Sequence, residues 1–288
     1  MQYFEFANGV KIPMVGLGTY PLKGDVLSAT IKNAVDCGYE LFDTAVSYHN
    51  EQEIGLMIKE GMLDANRVFI TSKVDVNYLK GRKRYLYLNG KSIKKAYQIS
   101  CNNLNTQKIG AYLLHMPFDG CSKYYKDLMH LHDDGKVNII GVSNFDIREL
   151  NELYKKCGRW PMMNQTEISP YNTQKDLIQF CQDNGILVQA YSPFGRGNLV
   201  QDIMNEKVLL SIADAHGKSV GQIVLRFIVQ QGMAVVARST NHNRLKENIN
   251  IFDFELTSEE MSSVSSLNRN AVFGLNQINK YNKKLVKI

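Results

Sequence analysis

Four residues able to move a proton or hold a charge stand at or just after short apolar runs in the first half of the chain. Asp43 closes the run 40–43 and Tyr48 follows it, Lys73 closes 68–73, and His115 closes 110–115. Brought to one place, these groups make a proton donor for a carbonyl oxygen. A free tyrosine has a pKa near 10, too high for efficient donation at neutral pH, so something must stabilise the phenolate. A lysine ammonium about 4 Å away, at an effective dielectric of about 20, is worth roughly 4 kcal/mol, near three pKa units before desolvation. On this view Asp43 keeps Lys73 charged and in place, Lys73 acidifies Tyr48, and His115 orients the substrate oxygen and shares its developing charge. Each residue alone has a structural explanation as a strand-end turn residue, a surface lysine, a core histidine or a half-wet tyrosine. Their conjunction argues for chemistry.

That conjunction needs a scaffold that collects strand ends. Short β-branched runs at 14–17, 40–43, 68–73, 110–115, 138–142, 162–165, 187–190 and 234–236 alternate with segments of helical periodicity. Helices at 28–37, 124–134 and 175–184 stop at Gly38, Gly135 and Gly185, residues that close a helix in the left-handed conformation. The pattern predicts an α/β fold, a (β/α)8 TIM barrel, whose chemistry gathers at the carboxyl ends of the strands. Ahead of the first strand, residues 4–7 and 10–12 flank Asn8-Gly9, a turn dipeptide that predicts an N-terminal β-hairpin. The later strand ends lead to Ser143 and Asn144, to Gln165, to Tyr191 and Ser192, and to Arg238 and Ser239, all expected at the same mouth.

Composition sets the limits. The 288 residues carry a net charge of +6, 44% hydrophobic and 22% charged residues, as a folded soluble protein does, and no basic block long enough to make nucleic acid the default partner. No apolar run approaches the roughly 20 residues of a membrane helix, and no signal peptide is read at the start, so a cytoplasmic protein is expected. Five scattered cysteines make no C-x-x-C pattern, and His130 and His132 point apart on a helix, so no metal site is expected. No linker divides the chain, so residues 1–288 are expected to form one domain. A basic, tyrosine-containing insertion at 77–90 reads as a solvated loop or a lid for an anionic substrate, and 270–288 as a C-terminal tail.

With these residues in hand, the chain resembles the aldo-keto reductase superfamily over almost its whole length. The segment 38–45 (GYELFDTA) with Tyr48, Asn50 and Glu51 looks like the family signature, and 71–73 (TSK), 113–115 (LLH) and 141–145 (GVSNF) match further hallmarks. The resemblance implies Asp43, Tyr48, Lys73 and His115 as catalytic tetrad, with Tyr20, Tyr48 and His115 facing substrate. It implies a nicotinamide cofactor, NADPH/NADP+, bound without a G-x-G-x-x-G turn, which this sequence lacks. Gly18, Thr19 and Asp43 would border it, Ser143, Asn144 and Gln165 would bind the carboxamide, and Tyr191 would stack on the ring beside Ser192. Arg238, Ser239, Thr240 and Arg244, with Glu247 and Asn248, would grip the 2′-phosphate and adenine, favouring NADPH over NADH. The chain departs from the family's pattern in Arg238 for lysine, Ala237 for proline, Met116-Pro117 after the histidine and Val74-Asp75 after Lys73. The implied function is reduction of an aldehyde or ketone, sugar-like or anionic, to the alcohol. The alternative is an NADP(H)-binding regulatory module with little turnover. The expected state is a monomer or weak homo-oligomer.

Overall fold

The structure is a computed structural model and describes residues 1–74 and 92–272. It opens with the hairpin, β1 (Tyr3–Glu5) and β2 (Lys11–Pro13), paired antiparallel with Phe4 opposite Ile12. The pairing sits further from the turn than the sequence suggests, because Phe6 and Val10 close the turn itself: the Phe6 N–H donates to Val10 O at 2.9 Å. Gly9 takes a φ of 78°, a conformation glycine adopts without strain. Ile12 is fully buried and Phe6 nearly so, so the hairpin presents its apolar side inward.

Eight parallel strands follow: β3 (Val15–Gly18), β4 (Leu41–Asp43), β5 (Phe69–Val74), β6 (Ile109–Leu114), β7 (Val137–Ser143), β8 (Met163–Glu167), β9 (Leu187–Tyr191) and β10 (Ala234–Ala237). Each pairs with the next, and β10 pairs with β3 through Val235 opposite Val15, which closes the barrel. The expected (β/α)8 barrel with its hairpin is therefore the observed fold. Parallel strands bury both faces, which is why runs such as Ile139, Ile140 and Val142 are apolar without alternation and fully buried.

The described helices are α1 (Gly24–Asp36), α2 (Glu51–Lys59), α3 (Ile93–Asn103), α4 (Cys121–Asp133), α5 (Ile147–Cys157), α6 (Lys175–Asp183), α7 (Asn198–Met204), α8 (Lys207–His216), α9 (Val220–Val229), α10 (His242–Ile249) and α11 (Ser258–Ser265). Capping boxes start three of them: Asp146 with Glu149, Ser219 with Gln222 and Thr257 with Glu260. The glycines expected to end α1, α4 and α6 take φ of 91°, 69° and 67°. Helix α1 starts ahead of the expected Ser28 because Leu27, Thr30, Ile31 and Ala34 form one buried stripe that needs the extra turn. Strand β8 runs on to Glu167, past its expected end at Gln165. The basic insertion at 77–90 and all but the first residues of the tail lie outside the described residues. Among those described, no helix is long and apolar enough to cross a membrane.

Candidate active site

The end of β4 places Asp43 and the end of β5 places Lys73, each buried, so the two charges meet inside the barrel rather than in water. The Lys73 ammonium donates to both Asp43 oxygens, at 2.7 and 2.8 Å, and to the Thr44 carbonyl at 2.9 Å. Tyr48 lies on a short 3-10 turn (Val46–Tyr48), its hydroxyl 3.5 Å from the same ammonium. The loop between Asp43 and Tyr48 is held by Asn50, fully buried, which accepts from the Thr44 hydroxyl at 2.6 Å and donates to Thr19 Oγ1 at 3.1 Å. His115 follows β6 directly, and its ring stands edge-on to Tyr48 with centroids 5.7 Å apart. Tyr20 covers the other side of Tyr48, centroids 5.0 Å apart, and is half exposed at the mouth. The four residues singled out in the sequence are thus brought together.

The electrostatics of the cluster differ from the simple expectation. Burial first, and the Asp43 charge second, push the Tyr48 pKa well above 10, with Arg196 pulling it the other way. Lys73 spends its charge mainly on Asp43, which it meets at 2.7 Å, and only grazes the hydroxyl at 3.5 Å. Burial draws Lys73 below its ordinary value while Asp43 pulls it back up. Tyr48 is therefore held as the protonated donor.

Burial and the neighbouring Lys73 charge lower the His115 pKa from the ordinary 6.5 to about 3. His115 is accordingly neutral at physiological pH, a hydrogen-bonding group and no cation. Between these two values the unfolded chain takes up a proton that the folded chain refuses. Stability contributed by the neutral ring is thus complete above pH 6.5 and is lost as pH falls towards 3, at up to about 1.4 kcal/mol per pH unit. His115→Gln is expected to flatten the fall of the urea midpoint between pH 6.5 and 3, relative to the unaltered chain. Parallel curves for the two proteins would contradict this.

Around the tetrad lies a ring of polar groups from β7, β8 and β9. Ser143 Oγ donates to Gln165 O at 2.9 Å, Asn144 Nδ2 donates to Ser143 Oγ at 3.0 Å and to His115 O at 3.2 Å, and the Tyr191 hydroxyl donates to Asn144 Oδ1 at 2.7 Å. Gln165 Nε2 donates to Asp43 Oδ2 at 2.7 Å and to Gln189 Oε1 at 2.6 Å, tying the amide ring to the tetrad. Asn144 and Ser192 hold positive φ of 65° and 51°, strained for side-chain-bearing residues and typical of functional loops. Arg196 Nε donates to Ser192 Oγ at 2.7 Å, and its guanidinium lies 5.4 Å from the Tyr191 ring.

These residues fit a nicotinamide on the evidence of their donor set. A serine hydroxyl and two side-chain amides stand at adjoining strand ends, with the hydroxyl of half-buried Tyr191 bonded to Asn144, and a Cβ built on Gly18 would meet nothing nearer than Ala237 backbone at 4.0 Å, leaving the mouth open there. Thr19 is closed off: it is fully buried, its hydroxyl and its N–H donate to Asp43 O at 2.9 and 3.0 Å, and its carbonyl accepts from the Leu22 N–H at 2.7 Å, so the expected cofactor contact at Thr19 is not offered by this geometry. Further round, the segment from Arg238 to Thr240 leads into α10, where Asn241 caps the Arg244 N–H at 3.1 Å. Arg238, Thr240, Arg244 and Glu247 are exposed, Ser239 is half-buried and Asn248 is buried. Neither Arg238 nor Arg244 has an ion-pair partner among the described residues.

Sequence reasoning missed Gln189, Ser47 and the Thr44 carbonyl. Gln189 carried one usable signal, a polar residue inside an otherwise apolar strand. Its Nε2 is buried with no hydrogen-bond partner among the described residues, while its Oε1 accepts from Gln165 Nε2 at 2.6 Å.

A closed barrel whose strand ends collect a lysine–aspartate pair, a tyrosine and a neutral histidine defines a class of barrel oxidoreductases. The Aldo/keto reductase family model matches residues 14–269. The chain belongs to that family, whose enzymes use nicotinamide cofactors. It is 38% identical over 273 residues to glyoxal reductase of Bacillus subtilis, covering 93% of this chain and 94% of that protein. It is 31% identical to NADH-dependent D-xylose reductase of Candida parapsilosis, covering 92% of each. Among solved structures, an aldo-keto reductase from a Medee basin deep-sea metagenome library superposes with a TM-score of 0.84 at 29% identity, covering 94% of this chain and 96% of the other.

Proposed function

We propose that the protein is an NADPH-dependent reductase that converts an aldehyde or ketone to the alcohol, working as one catalytic domain. The observation that carries this reading is the buried Lys73–Asp43 pair with the Tyr48 hydroxyl 3.5 Å from its ammonium, open to the mouth beside a neutral His115. When bound, the reduced nicotinamide supplies a hydride to the carbonyl carbon. Tyr48 gives its proton to the carbonyl oxygen as negative charge builds there, and Lys73 stabilises the resulting phenolate. His115 orients that oxygen by a hydrogen bond, and Tyr20 and Tyr48 wall the substrate. Ser143, Asn144 and Gln165 would hold the carboxamide, Tyr191 the ring face, and Gly18 and Ser192 its flanks.

The 2′-phosphate would meet Arg238, Ser239, Thr240 and Arg244, and the adenine Glu247 and Asn248. Two exposed guanidiniums without carboxylate partners among the described residues support NADPH over NADH, since a phosphate satisfies their forked donors. The NADH-dependent relative shows that membership of the family alone does not decide this. Arg244→Ala is expected to raise the NADPH dissociation constant about tenfold to a hundredfold, the loss of one charge-assisted contact, while changing that of NADH less than about twofold. Fluorescence titration of both cofactors checks it, and equal shifts would place the phosphate elsewhere.

The relative named a glyoxal reductase favours small α-dicarbonyls as the first substrate class to try. Consumption of NADPH, followed by near-ultraviolet absorbance against α-dicarbonyls, aromatic aldehydes, open-chain sugars and sugar phosphates, tests the activity. Tight NADPH binding with no turnover on any of them would favour the regulatory module instead.

A further inference from the structure

The turn that carries Tyr48 also carries Ser47, which the proton-donor and cofactor roles leave unused. Its hydroxyl oxygen lies 3.2 Å from Nδ1 of His115, and both side chains are half-buried. The backbone of His115 is pinned on both sides, its N–H donating to Val74 O at 2.9 Å and its carbonyl accepting from Asn144 Nδ2 at 3.2 Å. The ring also meets the Tyr48 ring, with planes inclined by 73°, and feels the Lys73 charge. Among the described residues, Ser47 is the hydrogen-bond partner of this imidazole.

A neutral imidazole is a donor at one nitrogen and an acceptor at the other, and the bond made at one fixes the state of the other. A serine hydroxyl can give or accept, so its surroundings decide. Were Nδ1 to donate, the Ser47 hydroxyl proton would find no acceptor among the described residues and would be left to solvent at this half-buried position. Were Ser47 to donate, both groups would be satisfied at once and the ring's proton would sit on Nε2. A carbonyl oxygen presents only lone pairs, so the Nε2–H form is also the one able to bind it.

We propose that Ser47 is a positioning residue whose hydroxyl donates to His115 Nδ1 and so holds the ring in the Nε2–H tautomer that orients the substrate carbonyl. The benefit to catalysis rests on the reductase function proposed above, whereas the tautomer is a property of the protein and its cofactor complex alone.

The test is 15N NMR of histidine-labelled protein in complex with NADP+, with the His115 signals identified by their loss in His115→Gln. The expected spectrum shows an unprotonated Nδ1 and a protonated Nε2. Ser47→Ala should shift His115 to a mixture of tautomers and lower kcat on the order of tenfold, the scale of one lost hydrogen bond. Ser47→Thr, which keeps the hydroxyl, should restore both, a rescue that a mere packing role would not require. A protonated Nδ1 in the unaltered protein overturns the proposal, as does an unchanged tautomer in Ser47→Ala whatever its kcat. Failure of the unaltered protein to reduce any carbonyl would defeat the reductase function, while the NMR result would still decide the role of Ser47.

Discussion

Lys73→Met is expected to lower carbonyl reduction by a hundredfold or more, leave the NADPH dissociation constant within about threefold, and destabilise the fold markedly. The lysine is fully buried and is the cation that faces Asp43, at 2.7 and 2.8 Å. Its removal leaves a buried carboxylate with the Gln165 amide at 2.7 Å as its remaining side-chain donor, and breaking a buried pair in this way costs roughly 3–5 kcal/mol. The catalytic loss has a separate origin, the missing stabilisation of the Tyr48 phenolate. The two effects are separable by adding Asp43→Asn to Lys73→Met. The double variant should recover much of the lost stability, seen as a higher urea midpoint, and none of the activity. Recovery of activity in the double variant would mean that Lys73 serves only to neutralise Asp43.

Tyr48→Phe is expected to reduce kcat by about 10³-fold or more, within the range set by a positioned general acid, with little change in cofactor affinity or stability. The phenyl ring keeps the neighbours Tyr20 and His115, at 5.0 and 5.7 Å, and among the described residues the lost hydroxyl makes only a long contact, 3.5 Å, to Lys73. The pH profile follows from the direction of the tyrosine shift. Its pKa lies well above 10, so the donor form persists as pH rises through neutrality, and kcat for reduction should stay level between pH 7 and 9. A decline over that interval would point to a donor with a lower pKa than Tyr48. Steady-state kinetics on both proteins, with cofactor titrations on the same samples, measure all of these quantities.

The parts legible in the sequence are those written by local pattern. Strand ends can be read from where an apolar run stops, so Asp43, Lys73 and His115 were visible as a group once the strands were set parallel around a barrel. Tyr48 was visible from its spacing after Asp43. Register and loop shape were not legible, and they hold the rest. Ser47 reaches His115 only because the Val46–Tyr48 turn coils back over the mouth. Gln189 meets Gln165 because β8 and β9 align the two residues directly. Thr19 illustrates the reverse: the family resemblance implies it as a cofactor neighbour, but Asp43 O and Asn50 take up its hydroxyl in a fully buried position. Charge balance was the least legible property. Spacing suggests that Lys73 acts on Tyr48, whereas the distances show it acting first on Asp43.

The most direct test of the chemistry uses NADPH deuterated at the transferred position of the nicotinamide, with a substrate found in the carbonyl screen, and mass spectrometry of the alcohol. Direct transfer predicts one deuterium per product molecule on the carbinol carbon, and almost no labelled alcohol from Tyr48→Phe over the same time. Alcohol formed without deuterium, or formed equally fast by Tyr48→Phe, would contradict hydride transfer coupled to proton donation at this site.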